Sequence, residues 1–190
     1  MSRRMCSMRV ITGSARGRRL ITLEGNDVRP TTDIVKEALF SIIQFEIEGR
    51  KVLDLFGGCG QLAIEALSRG AKDAVIVDAS KKSVEVIKKN LETTNFTKQA
   101  VVVLSDAEAF LSRRTEKYDI ALLDPPYSKG IIEKVLPKVA EVMNEGGVII
   151  CEAPYGEELP ESAGLFVLKK KYRYGKTGLF LYRLAEESED

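Results

Sequence analysis

The sequence predicts an α/β fold: a mostly parallel, seven-stranded sheet with helices on both faces, carrying a basic β-hairpin at its N-terminus. Three observations predict it. From residue 51 onward, short apolar runs alternate with amphipathic segments, most of ten or more residues, as in consecutive strand–helix–strand units. A glycine cluster, Gly57-Gly58-Cys59-Gly60, follows the first of those runs, at the edge where such sheets bind ligands. The 190 residues contain no linker-like stretch, which gives one main domain, residues 31–190, and a basic extension, residues 1–30.

Residues 8–23, MRVITGSARGRRLITL, read as two short strands around a basic, glycine-containing turn. RPTTDIVKEALFSIIQFEI follows as a helix. Thr32 or Asp33 can cap it, and Val35, Ala38, Leu39, Ile42 and Ile43 form its apolar stripe. KVLDLF is the first strand of the alternating region, QLAIEALSRG a helix closed by Gly70, and AVIVDAS a buried strand. SKKSVEVIKKNLETTN is a helix with Val84, Ile87 and Leu91 on one side. AVVVLSDA and YDIALLDPPY are the third and fourth strands, separated by the short helix EAFLSRR. IIEKVLPKVAEVMNEGG reads as a helix in which Pro137 marks a kink or break, and VIICEAP as the fifth strand. LFVLKKKYRYGKTGLFLYRL closes the chain as two strands joined at GKTG.

Composition removes several function classes. No apolar run approaches the ~18 residues of a bilayer span, and the basic N-terminus lacks the apolar stretch of a secretory signal. Cys6, Cys59 and Cys151 are scattered, matching neither a disulfide framework nor a zinc site, so a reducing cytoplasm is the expected setting. There is no histidine, hence no Ser-His-Asp triad, Cys-His pair or histidine-held metal, and no metal is expected. Proton transfer is left to carboxylates, Lys, Tyr, Cys or water. Net charge is +1, yet residues 1–20 hold six arginines and no acid, and residues 165–184 hold six Lys and Arg and no acid. Two basic ends on a near-neutral chain indicate a polyanion-binding face.

The candidate cofactor residues sit just after strands. Gly58, Gly60 and Ala63 satisfy the G-x-G-x-x-[G/A] pattern of dinucleotide sites, a weak signal alone. Asp54, at the end of the first strand, sharpens it: a carboxylate is a poor neighbour for a pyrophosphate but suits an ammonium, which S-adenosylmethionine carries together with a sulfonium. Asp78 ends the second strand about 20 residues past the glycines, where an acid can take both ribose hydroxyls. Asp106, after the third strand, can accept from an adenine amino group beside the backbone of Ala107, or can cap the following helix. Phe56, Gly57 and Ala79 complete the cofactor set.

The fourth strand runs into Asp124-Pro125-Pro126-Tyr127. Consecutive prolines stiffen the segment and remove N–H donors, leaving the Asp124 carboxylate and the Pro125 carbonyl as acceptors for the two hydrogens of an exocyclic amine. Held this way, the amine pyramidalises and aims its lone pair at a sulfonium methyl, while Tyr127 offers a face on which the base can stack.

These segments resemble the RsmD-type methyltransferases, which make N2-methylguanine in small-subunit ribosomal RNA. The resemblance is carried by MRVITGSARGRRL, RPTTDIVKEALFSII, VLDLFGGCG with IEALSRGA, LLDPPYSKG and YRYGKTGLFLYR, and covers roughly residues 8–184. It implies a Rossmann-like class I sheet with an added antiparallel strand, S-adenosylmethionine as methyl donor, and Asp124, Pro125, Pro126 and Tyr127 as the catalytic loop. The family usually has Ala-Gly-Ser-Gly where this chain has Gly57-Gly58-Cys59-Gly60, and Gly-Leu-Gly or similar at Gln61-Leu62-Ala63. The implied partner is ribosomal RNA, naked or within a small subunit, met by Arg16, Arg18, Arg19, Arg29, Lys129 and Lys176 of a monomer. Adenine N6 methylation remains the alternative for the loop, and a nicotinamide oxidoreductase the alternative for the glycine pattern.

Overall fold

A computed structural model describes residues 8–23, 33–113, 115–126 and 130–186. The helices are α1 (Asp33–Ile42), α2 (Gln61–Ser68), α3 (Lys81–Thr94), α4 (Ala107–Leu111) and α5 (Ile131–Glu141). The strands are β1 (Lys51–Asp54), β2 (Asp73–Asp78), β3 (Ala100–Leu104), β4 (Tyr118–Leu123), β5 (Met143–Pro154), β6 (Ser162–Ala163), β7 (Phe166–Tyr174) and β8 (Thr177–Leu184). They form one sheet in the order β3-β2-β1-β4-β5-β8-β7-β6. The first five strands in the chain run parallel, and β8, β7 and β6 add on antiparallel. Strand order reverses between β1 and β4, the position at which an open sheet leaves a crevice for a ligand.

Strand alternation sorts the core into two layers. Val52, Ile76, Ile120, Leu122 and Ile150 pack with residues of α1, α2 and α3. Leu53, Val75, Ala121, Leu123, Ile149 and Cys151 face the other way, against residues of α4 and α5. Apolar residues on both faces are what a covered, parallel sheet requires.

Three details differ from the sequence expectation. The sheet has eight strands rather than seven, because the two-residue β6 pairs with the start of β7. α5 runs through Pro137 without a break and ends at Glu141, and β5 begins at Met143, inside the segment read as helix. Tyr118 donates its N–H to the Val142 carbonyl and pairs with Met143, and the register then slips so that Ile120 pairs with Val148. Gly146 and Gly147 permit the slip: Gly146 has φ +75°, and a Cβ on Gly147 would lie 2.9 Å from the Asn144 carbonyl oxygen.

The N-terminal turn is held by one antiparallel bridge, Arg9 with Arg19, instead of two extended strands. Its amides leave the ladder for α2: Ile11 and Thr12 N–H donate to the Glu65 carboxylate at 2.8 and 3.0 Å, and Ala15 N–H to Ser68 Oγ at 3.0 Å. Met8, Val10, Ala15 and Leu20 are buried in the same core as α1 and α2. Lys36, fully buried on α1, donates to the Arg9 carbonyl at 2.8 Å. Burial lowers the Lys36 pKa, an effect opposed by the nearby Glu65 carboxylate. No helix among the described residues is long and apolar enough to cross a membrane.

Candidate active site

The loop after β1 is shaped by its glycines. Gly58 and Gly60 adopt φ +57° and +81°, backbone that side chains disfavour. A Cβ on Gly57 would lie 2.5 Å from Ile76 Cγ2 and 3.0 Å from Ile87 Cδ1, so the glycine lets the loop lie close against β2 and α3, and an alanine there would require these side chains to shift. Asp78, at the end of β2, then fastens the loop: Oδ2 accepts from Gly58 N–H and Oδ1 from Ser80 N–H, each at 2.8 Å. Both oxygens keep a lone pair for a ligand.

A cavity of about 460 Å³ opens over the carboxyl ends of β1, β2, β3 and β4. Phe56, Gly57, Gly58, Asp78, Ala79, Asp106 and Ala107 line it on one side, and Asp124, Pro125 and Pro126 on another. The structure therefore brings together most of the residues expected from sequence. Asp106 also does the other job open to it, since its Oδ1 caps α4 by accepting from Ala109 N–H at 2.8 Å. Arg16, Arg18 and Arg19 are exposed on the N-terminal turn and Lys176 on the β7–β8 turn. Tyr127, Lys129 and Arg29 lie outside the described residues.

Asp54 and Gly60 are not on the cavity wall. Asp54 is 1% exposed and lies beneath the loop, where Oδ2 accepts from Ala63 N–H at 3.2 Å. Its Oδ1 has no hydrogen-bond partner among the described residues, and neither does the buried Oε1 of Gln61, which does line the cavity. Burial pushes the Asp54 pKa from its ordinary 3.8 up to about 7; the Ala63 N–H opposes this, and the Asp124 and Asp78 carboxylates add to it. Three carboxylates thus end three neighbouring strands. Their mutual repulsion, with the unpartnered Gln61 oxygen on the cavity wall, suits a ligand that is cationic and rich in N–H donors, and would repel a pyrophosphate. S-Adenosylmethionine meets that description; a nicotinamide dinucleotide does not. Burial also pushes the Cys59 thiol up to about 11 and the Cys151 thiol up as well, which removes both from proton-transfer and nucleophilic roles near neutral pH.

Replacing Asp78 with alanine is expected to weaken S-adenosylmethionine binding by roughly 1–3 kcal/mol, the worth of hydrogen bonds to a charged group. Calorimetric titration measures it. An unchanged dissociation constant would remove Asp78 from the ribose site.

Sequence reading missed what joins the N-terminal turn to this cavity. Met8, Thr22 and Leu23 line it. Asn90, fully buried on α3, accepts from Ile21 N–H at 2.8 Å and donates to the carbonyls of Ile21 and Cys59 at 2.9 and 2.8 Å. One side chain therefore ties the basic segment to the glycine loop. The available signal was an Asn three residues after Ile87, within an otherwise apolar stripe.

The chain matches the family model described as Conserved hypothetical protein 95 over residues 8–183. It is 41% identical over 181 residues to the Bacillus subtilis protein YlbH, covering 93% of this chain and 98% of that one. It is 30% identical over 184 residues to the ribosomal RNA small subunit methyltransferase D of Escherichia coli K12, covering 96% and 92%. The solved structure of the Escherichia coli protein yhhF superposes with a TM-score of 0.85 at 32% identity, covering 95% of this chain and 99% of that chain.

Proposed function

Because the chain belongs to the Conserved hypothetical protein 95 family, we propose that it is an rRNA methyltransferase that transfers the methyl group of S-adenosylmethionine to the exocyclic N2 amine of a guanine in small-subunit ribosomal RNA. The observation that carries the methyl-donor assignment is the acidic strand-end cluster: the buried Asp54 on β1, with Asp78 and Asp124 ending the two strands that flank it, at the floor and wall of one cavity. The rRNA assignment rests on the name borne by the Escherichia coli relative, and on the exposed arginines of the N-terminal turn. The guanine N2 assignment rests on the resemblance of the segments around Asp124-Pro125-Pro126 to the RsmD-type enzymes.

When bound, S-adenosylmethionine supplies an electrophilic methyl group on a sulfonium. The residues of this chain do the rest. Asp78 holds the ribose hydroxyls with the lone pairs left by its bonds to Gly58 and Ser80 N–H. Gln61 Oε1 offers an acceptor to the ammonium, and the ionised Asp54 offsets positive charge from beneath the loop. The Asp124 carboxylate and Pro125 carbonyl accept the two amine hydrogens and turn the nitrogen lone pair toward the cavity. Alignment of this kind can supply as much as ~7–11 kcal/mol of a barrier. The nitrogen becomes acidic as it is alkylated, so Asp124 or water takes the proton afterwards and no strong base is required. Arg16, Arg18 and Arg19 meet the RNA backbone.

The test is to incubate the protein with labelled S-adenosylmethionine and small-subunit rRNA from cells lacking this gene, then to map the modified nucleotide. One N2-methylguanine is expected. Methyladenine would move the assignment to N6, and no label in RNA would end the reading.

A further inference from the structure

On the far side of the Asp124 loop from the cavity lies a second group of side chains that the reaction above does not use. Strand register fixes its position. Leu123 of β4 pairs with Cys151, Cys151 with Phe180 of β8, and Phe180 with Lys171 of β7. Arg173, two residues on, pairs with Gly178, which pairs with Ala153. Neighbouring strands are ~4.8 Å apart, so Lys171 stands about 14 Å from the residue preceding Asp124, along one row of the sheet. Directly opposite residues share a face, which puts Lys171 and Arg173 on the side of Leu123 and Cys151.

Tyr155, just past the end of β5, gathers both cations. The Lys171 ammonium lies 4.9 Å and the Arg173 guanidinium 4.7 Å from the centre of its ring, and Lys171 also lies 4.7 Å from the Phe180 ring. Backbone carbonyls fix the heads further: Lys171 donates to Glu157 O at 3.1 Å and Arg173 to Gly175 O at 3.2 Å. Gly178 lets the tyrosine approach, because a Cβ there would lie 3.3 Å from Tyr155 Cα and 2.9 Å from the Phe180 ring. Exposed Lys and Arg ordinarily lose much rotamer freedom when they bind; these two are already held. Both remain exposed, and Lys171 has further N–H donors to offer.

We propose that Tyr155, Lys171 and Arg173 form a preassembled clamp for the phosphates of the RNA strand flanking the target nucleotide. The proposal rests on the rRNA methyltransferase reading. With the methyl-donor cavity on one side of the Asp124 loop and the clamp on the other, a single unpaired strand crossing the carboxyl edge of the sheet has its target base at the loop and its neighbouring phosphates on β7. The N-terminal arginines then hold a separate part of the same RNA.

The experiment compares wild type with a Lys171→Gln/Arg173→Gln variant and with Tyr155→Leu. Each is titrated with unmodified small-subunit rRNA at several salt concentrations, and also with S-adenosylmethionine, whose unchanged affinity reports an intact fold. Loss of two single-strand phosphate contacts should flatten the log–log salt slope by about 1.4 and weaken binding about 25-fold near 0.1 M salt. Tyr155→Leu keeps the charges but frees them, so the slope should persist while affinity falls about two- to fivefold, the equivalent of ~0.5–1 kcal/mol. A double variant with wild-type slope and affinity would overturn the clamp. The same variants are titrated with assembled small subunits, and a loss seen only there and not on naked RNA would also overturn the clamp, giving the cluster to an acidic protein instead. If wild type bound this rRNA without methylating it, the function reading would fail while the salt slopes still judged the clamp. If wild type failed to bind it at all, both would fall.

Discussion

Asp124→Ala is expected to abolish turnover, a fall on the order of 10³-fold in the chemical step, while S-adenosylmethionine affinity stays within a few-fold of wild type. The carboxylate follows the last residue of β4, on the cavity wall beside Pro125 and Pro126 and away from the Asp78 bonds that hold the glycine loop. On the proposed mechanism its contact with the amine matters most as the nitrogen turns tetrahedral, so the loss is expected in the rate and not in RNA affinity. Asp124→Asn separates the two roles of the group. The amide keeps an acceptor oxygen and the shape, and lacks the charge. If positioning dominates, Asn retains measurable activity; if proton acceptance dominates, it is nearly as dead as Ala. Single-turnover kinetics at saturating RNA and cofactor distinguish these, and near wild-type rates for Asp124→Ala would make the loop structural. A further readout follows from the acidic cluster. Asp124 helps raise the Asp54 pKa, so Asp124→Asn should move any pH midpoint set by Asp54 to lower pH.

Asp54→Asn is expected to weaken S-adenosylmethionine binding about 30-fold above pH 7. That is about 2 kcal/mol, the attraction of unit charges ~8 Å apart at an effective dielectric of about 20. In wild type the affinity should tighten with pH, up to about tenfold per unit, until the carboxyl is ionised near pH 7, and then level off. The variant should show no such rise. Stability moves the opposite way. The folded, ligand-free protein holds the Asp54 proton up to pH about 7, whereas the unfolded chain loses it near 3.8. Stability therefore falls as pH rises through that window, and the whole penalty is present above it. Asparagine cannot ionise, so ligand-free Asp54→Asn should be about 1–3 kcal/mol more stable than wild type at pH 8, after the cost of a poorly partnered amide. Thermal melts without cofactor at pH 5 and pH 8 check this. Equal destabilisation at both values would mean that Asp54 is charged and satisfied in the ligand-free fold.

The fold and the line of candidate residues were legible because both depend on local pattern. Apolar runs long enough for one strand, followed by amphipathic segments, announce strand–helix units. Residues just past each run fall at the carboxyl edge, so Asp78, Asp106 and Asp124 could be assigned to one site without any knowledge of strand order. The two-proline segment after β4 and the glycine loop are equally local, since each is a statement about backbone freedom over four or five residues. The end of α5 was not legible. Val142 and Met143 continue the apolar stripe of a helix, and only the fit under Tyr118 ends α5 before Val142 and makes Met143 the start of β5.

Sequence by itself determined the strand–helix alternation, the cofactor edge, the exclusion of histidine chemistry and the two basic ends. Tertiary structure decided how they relate. Asn90 joins residue 21 to the glycine loop across 69 and 31 positions of chain. Glu65 gathers the amides of Ile11 and Thr12 from 54 and 53 positions away, which turns the expected strands into a docked turn. Asp54 was read as a partner for an ammonium, and only the packing of the loop over it shows that it is a buried acid off the cavity wall. The Tyr155 cluster exists only because β5, β8 and β7 pair in one register. The physical reason is the same in each case. Periodicity and backbone preference act between near neighbours, whereas desolvation, charge repulsion and long-range hydrogen bonds depend on which distant residues the sheet brings together.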